Sequence, residues 1–307
     1  MNLSALTTYS IHERESKVRI EDFAPVPVPI RGFLEQTPTI LAGNGLREVV
    51  AAIAGARRRE RPAVLTMGGH VIKCGMARVI NHLLRERIFT AVAGNGSVIV
   101  HDTEIALFGK TSENVEGSLA DGRFGWARET AEFINGAITE GVRQGLGVGE
   151  AVGRALLAAQ APYAEYSVLA QAAALGVPFT VHVAIGTDIL HMHPSADGAA
   201  IGAGSMRDFH RLTEVLSRLG DGGVLVNFGS AVIIPEVVLK AFSILRNLGI
   251  SLEGCTTADF DMIRHYRGGK QLVERIGALG GRGFALTGHH EIMLPLLAGL
   301  VLAELEA

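Results

Sequence analysis

Short apolar runs, each stopped by glycine or a small polar residue and followed by a helical pattern, constrain this chain more than any other feature. The runs are Pro62–Met67, Ile88–Ala93, Pro178–Ile185, Gly223–Asn227, Ile250–Cys255 and Phe284–Leu286. Brief apolar segments bounded by glycine read as strands buried on both faces. After the first of them, Val71, Ile72, Met76, Val79, Ile80, Leu83 and Leu84 recur on one helical face. Further helices are expected at 46–59, 128–160, 166–175, 206–219, 235–248 and 292–305. Strand alternating with helix predicts an α/β fold, doubly wound around a mostly parallel sheet, with ligands bound outside the carboxyl ends of the strands.

Residues 1–37 depart from this rhythm. Pro25, Pro27 and Pro29 alternate with Val26, Val28 and Ile30, which forbids helix and predicts an extended arm. The arm is expected to lie on the body or to reach a neighbouring subunit, with one α/β domain over 38–307. Lys and Arg number 28 and Asp and Glu 31, a net charge of −3. That balance provides no global field for nucleic acid. The most apolar stretch, Ile292–Ala303, is broken by Pro295 and falls short of the roughly 20 residues that span a bilayer. The only cysteines, Cys74 and Cys255, make no disulfide framework, and a reducing cytoplasm is expected.

The unusual polar residues gather after the strands. They are Gly68-Gly69-His70, then Gly94-Asn95-Gly96 with His101 and Asp102, then Thr187-Asp188 with His191 and His193. Gly229-Ser230, then Thr257-Ala258 with Asp261, and finally Gly288-His289-His290-Glu291 complete the set. Turn chemistry explains any one such loop; six enriched in His and Asp point to a ligand site along one rim. Neither GxGxxG nor a P-loop is present. An alternative is a metal-dependent hydrolase using His191 and His193, whose spacing can put two imidazoles on one side of an extended segment, with Asp188 as a third ligand. A non-catalytic binding protein of the same fold is a third reading.

The order of these loops resembles the deoxyhypusine synthase family, from about Ala63 to the C-terminus. Gly68 to Gly75 is similar to its TSNLISSG segment, and Ala93 to Gly96 followed by His101-Asp102 to its TAGG loop and Glu-Asp pair. Val177-Pro178, Thr187-Asp188, Arg246-Asn247, Thr257-Ala258 with Phe260-Asp261, and Pro295-Leu296-Leu297 follow in the family's order. The resemblance implies a Rossmann-like sheet, NAD as cofactor, and a homotetramer or homodimer. By position it implies NAD contacts at Gly69, His70, Asn95, Gly96, Asp188, Gly229, Thr257, Ala258 and His289. It implies polyamine contacts near His101, Asp102 and Asp261. His101 or His289 is then the expected acid/base, with Asp102, Asp188 and Asp261 holding the substrate or orienting a histidine. The family's catalytic lysine has no counterpart at its position; Lys270 stands short of it. The expected chemistry is therefore NAD-dependent oxidation or group transfer on a small substrate, a polyamine among the candidates, and not deoxyhypusine synthesis itself.

Overall fold

The computed structural model describes residues 6–307. Its strands are β1 (Ser16–Arg19), β2 (Ala63–Met67), β3 (Ala91–Asn95), β4 (Lys110–Glu113), β5 (Phe179–His182), β6 (Val224–Phe228), β7 (Thr256–Asp261) and β8 (Arg282–Thr287). The helices are α1 (Phe33–Gln36), α2 (Leu41–Arg58), α3 (Gly69–Lys73), α4 (Ala77–Arg85), α5 (Gly96–Phe108) and α6 (Val115–Ala120). They continue with α7 (Arg128–Arg143), α8 (Val148–Ala158), α9 (Val168–Leu175), α10 (Gly198–Leu216), α11 (Ile233–Asn247) and α12 (His290–Glu306).

Six strands form one parallel sheet in the order β5-β3-β2-β6-β7-β8. Counted along the chain within that sheet, this is the order 3-2-1-4-5-6 of a Rossmann-like sheet, with its reversal between β2 and β6. Ala63 pairs with Val224 and Met67 with Phe228 across that reversal. The strands alternate between two apolar layers, as a period of two requires. Leu65, Met67, Val92, Val226 and Phe228 join the core shared with α2, α4, α5 and α12. Val64, Ala91, Ala93 and Leu225 face the opposite layer, with Leu212 and Leu216 of α10 and Val238 and Phe242 of α11. The β5 edge is covered by α10, whose Asp208 carboxylate accepts from the Val181 N–H at 2.8 Å, so no bare strand edge remains there.

One strand differs from the sequence expectation. Residues 250–255 are not a strand; β7 runs over Thr256–Asp261, and all six of its residues are buried. Its Thr and Asp side chains resemble a loop in sequence. They are paired inside: Asn227 Nδ2 donates to Asp259 Oδ1 at 2.7 Å, and Thr257 Oγ1 donates to the Leu272 carbonyl. The polar stretch 111–126 also contains β4 and α6.

The N-terminal segment lies along the body of its own chain. β1 pairs antiparallel with β4, Val18 opposite Thr111. Ile11 is fully buried, and the Ile30 N–H donates to the Gly299 carbonyl at 2.9 Å. A side chain at Gly299 would meet Ile30 Cγ1 at 2.5 Å, so glycine there admits the segment. These contacts carry Arg14 into the interior of the molecule.

Candidate functional site

The strand reversal opens a crevice between the loops after β2 and β6. Gly68 and Gly229 let those loops touch: a Cβ on Gly68 would stand 2.6 Å from the Gly229 carbonyl oxygen. Gly229 has φ +66°, a left-handed conformation that glycine adopts without steric penalty, and a Cβ there would collide with His290 Nε2. Beneath the crevice a polar ladder crosses the sheet. Thr66 Oγ1 donates to Asn227 Oδ1 at 2.9 Å, and Asn227 Nδ2 reaches both Asp259 and the Ser230 carbonyl. The ladder fixes the loop after β6, because the Ser230 backbone is one of its partners.

Histidines and carboxylates line the crevice. His70 and His290 meet edge to face, with ring centroids 5.7 Å apart. His290 Nε2 is 3.8 Å from Asp261 Oδ1, and His265 Nε2 is 3.7 Å from Asp261 Oδ2. His290 is 1% exposed, and its Nδ1 has no hydrogen-bond partner among the described residues. Burial lowers the pKa of both His70 and His290, in His70 with help from the charge of Lys73. Cys74 is pushed up to about 12 by burial, so its thiol is not a nucleophile at neutral pH.

Gly69 joins the crevice to a cavity of about 180 Å³ lined by Lys73, Ser97, His101, Glu104 and Asp188. A Cβ on Gly69 would stand 2.5 Å from Ser97 Oγ and 3.1 Å from His101 Cδ2. Behind the cavity runs a directed hydrogen-bond chain. Arg14 donates from Nη1 and Nη2 to the two oxygens of Glu104, each at 2.7 Å. Thr111 Oγ1 donates to Glu104 Oε2 at 2.6 Å, and His101 Nδ1 lies 2.8 Å from Thr111 Oγ1. Burial would raise the Glu104 carboxyl, but the hydrogen bonds and charge of Arg14 outweigh it and hold the pKa below the ordinary value.

An ionised Glu104 can only accept. The single Thr111 proton therefore goes to Glu104, and Thr111 must accept from His101. This fixes the Nδ1–H tautomer and leaves a lone pair on Nε2. Burial pushes His101 down to about 4, so the ring stays neutral at pH 7. The expected result in ¹⁵N NMR is a protonated Nδ1 and an unprotonated Nε2 on His101 from pH 5 to 8; an Nε2–H signal would overturn the direction of the chain.

The residues expected from sequence divide into groups. His101, Asp188, Gly69 and Gly96 meet at the cavity. Asp188 lies against Gly96, the first residue of α5, where a Cβ would collide with its carboxylate, and burial raises its pKa. His70, Gly229 and Asp261 meet at the crevice. Asn95 caps α5 by position, and its Oδ1 accepts from Ser97 Oγ at 2.8 Å. His289 is largely exposed, 3.9 Å from Glu291 Oε1.

Asp102 stands apart from both groups. It is 0% exposed and accepts from Ser167 Oγ and from the Val168 and Leu169 N–H groups. It thus holds the N-terminus of α9. Thr257 and Ala258 lie inside β7 and not at the rim, a consequence of the shifted strand. His191 and His193 do not converge. His191 Nδ1 accepts from the Gly186 and Asp188 N–H groups, whereas His193 Nδ1 pairs with Ser195. Among the described residues no three His, Cys, Asp or Glu side chains are arranged to hold a metal ion.

Arg14 and Thr111 were not expected at the site, and Lys73 and Glu104 were given no catalytic role. Glu104 had a signal: His101 and Glu104 are three apart on one helix and share a face. Arg14 had none, since 90 residues separate it from Glu104.

No protein-family model matches this sequence, and no curated protein does. Among solved structures the fold is similar to that of unliganded AgrE, with a TM-score of 0.54 and 15% identity over 85% of this chain and 32% of that one. AgrE in ternary complex with ornithine and NAD+ gives 0.51 and 16% over 85% and 34%. This chain spans about a third of the length of AgrE. An LOR/SDH-type protein from Methanococcus maripaludis S2 gives 0.51 and 12%, over 91% of this chain and 74% of that one. A deoxyhypusine synthase-like protein from Entamoeba histolytica gives 0.46 and 8%, over 83% and 86%. At these identities the likeness is one of fold: a parallel α/β sheet of Rossmann-like kind.

Proposed function

We propose that this chain binds NAD across the crevice at the strand reversal and oxidises, or transfers a group from, a small amine-bearing substrate held in the adjoining cavity. The observation that carries the reading is the Arg14–Glu104–Thr111–His101 chain, which ends in a free imidazole lone pair one glycine away from the crevice. The orphaned Nδ1 of the buried His290 also suits a crevice that receives a polar ligand. A structure of AgrE with bound NAD+ lends the fold a precedent.

In this reading Gly69, His70, Asn95, Gly229 and His290 hold the dinucleotide. Bound nicotinamide would supply a two-electron oxidant for a carbon next to nitrogen. The protein's own groups do the rest. Asp188 holds a cationic amine by charge-assisted hydrogen bonding. His101 Nε2 accepts the proton released from the substrate, and Glu104, acting through Thr111, stabilises the imidazolium that forms. Transfer through a lysine imine is disfavoured at Lys270, whose amine pairs with Glu274 on the surface.

The test is thermal unfolding with NAD. At a concentration 100 times Kd, binding to the native state adds about 2.7 kcal/mol, or roughly 5–10 °C at 2–4 °C per kcal/mol. Gly229→Ala should lower stability by about 1–2 kcal/mol, because the position is left-handed, and should abolish the NAD shift. No shift of the native protein with NAD or its reduced form would overturn the reading.

A further inference from the structure

The loops that enter the strands, at the end of the sheet opposite the crevice, build a second site. Arg57, Arg61, Arg87 and Arg218 line a groove of about 310 Å³ at the amino ends of β2 and β3, with Glu60 as its acidic wall. The whole chain carries a net charge of −3, so the cluster does not follow from a generally basic surface. Two of the guanidiniums are held in place. Arg57 Nε donates to the Glu86 carbonyl at 3.0 Å, and Arg61 donates to the Asp221 carbonyl at 3.2 Å and pairs with its carboxylate. The guanidiniums of Arg87 and Arg218, both exposed residues, have no hydrogen-bond or ion-pair partner among the described residues.

The turns around the groove share one backbone conformation. Glu60 and Arg87 follow the ends of α2 and α4 with φ of +52° and +54°, and Asp221, which grips Arg61, has φ +59°. At Gly109, Gly176 and Gly280 the chain ends helical segments with glycine in that same conformation, the residue that adopts it freely. Three charged residues in a left-handed conformation around one groove keep their side chains against the backbone preference.

We infer that this groove binds a polyphosphate-type anion. The arginine fork matches phosphate oxygens in pairs. Four arginines less Glu60 and the Asp221 carboxylate that pairs with Arg61 leave two positive charges, which call for a ligand of about two negative charges. The groove continues into an open depression of about 640 Å³ that shares Arg61 and Arg218, room for a nucleoside attached to the phosphates.

Calorimetry at low ionic strength with inorganic tripolyphosphate and with a nucleoside triphosphate tests this. Low salt matters because exposed charges are screened within about 10 Å at 0.1 M. The expected result is one saturable site per chain, weakened at least tenfold in the double variant Arg87→Gln, Arg218→Gln. Both side chains are exposed, and circular dichroism checks that the variant is folded. Tighter binding of the nucleoside triphosphate assigns a nucleotide as the natural ligand; equal or weaker binding assigns free polyphosphate. Absence of saturable binding, or binding unchanged in the double variant, overturns the inference. So does competition by NAD that persists undiminished in the double variant, since that would put the anion at the crevice instead.

Discussion

Glu104→Ala is expected to remove about 3–5 kcal/mol of stability, the range for deleting one member of a buried ion pair. The midpoint of thermal unfolding then falls by roughly 6–20 °C, at about 2–4 °C per kcal/mol. The reason is what remains behind. The Glu104 and Arg14 side chains are 1% and 3% exposed, and the carboxylate also accepts from Thr111 and Thr130. Alanine leaves a guanidinium buried without a counter-charge and two hydroxyls without an acceptor. The partner experiment is Arg14→Met combined with Glu104→Leu. Replacing both charges with apolar groups should recover most of the loss, because the desolvation of both ions disappears with them. A double variant as unstable as Glu104→Ala would show that the uncompensated charge is not the cause. His101 provides a second readout: without Glu104, Thr111 is free to donate to the imidazole, and the fixed Nδ1–H tautomer is lost.

The second large effect is on the pH dependence of stability. Burial pushes Asp208 up to about 7, against the hydrogen bonds it accepts from the Val181, Gly149 and Val148 N–H groups. In the unfolded chain the same group titrates near its ordinary value of 3.8. Between those values the native state binds the proton and the unfolded state does not, so protonation favours folding. The contribution is fully present below 3.8 and is lost as pH rises through about 7. At 1.36 kcal/mol per unit the span amounts to about 4 kcal/mol. Asp102, pushed up to about 6 by burial, acts in the same direction. Urea unfolding of the native protein and Asp208→Asn, from pH 4 to 8, isolates the group. The stability difference between the two should shift by several kcal/mol in favour of the variant as pH rises. A difference constant across that range would sink the assignment. The elements that answer are the β5 edge and the start of α8, which Asp208 ties together.

Much of the architecture is legible in the sequence because the strands of a parallel sheet are buried on both faces and read as apolar runs. Five of the six expected strands overlap the observed ones. The failure at β7 has a physical origin: Thr256, Thr257, Asp259 and Asp261 look like loop residues until Asn227 and Leu272 are seen to satisfy two of them. The site was legible in part. Loop position pointed to His70, His101, Asp188, Gly229 and Asp261. Grouping His101 and Asp102 with the Gly94-Asn95-Gly96 loop hid the helical spacing of α5 that makes Glu104, and not Asp102, the neighbour of His101. Arg14 belongs to a segment whose partners lie in distant parts of the sequence, and no local pattern announces such a contact.

That segment has a consequence for how the molecule is made. Residues 9–31 leave the ribosome before any of their partners exist. Arg14 must await Glu104, Val18 must await Thr111, and Ile30 must await Gly299. Domains form largely as their chain is synthesised, and contacts between distant residues close slowly. The stretch that completes the relay behind His101 is therefore made before its distant partners and fully seated only after the last of them. A nascent chain arrested before α12 would already contain Glu104, the partner of Arg14, while Ile30 would still lack Gly299.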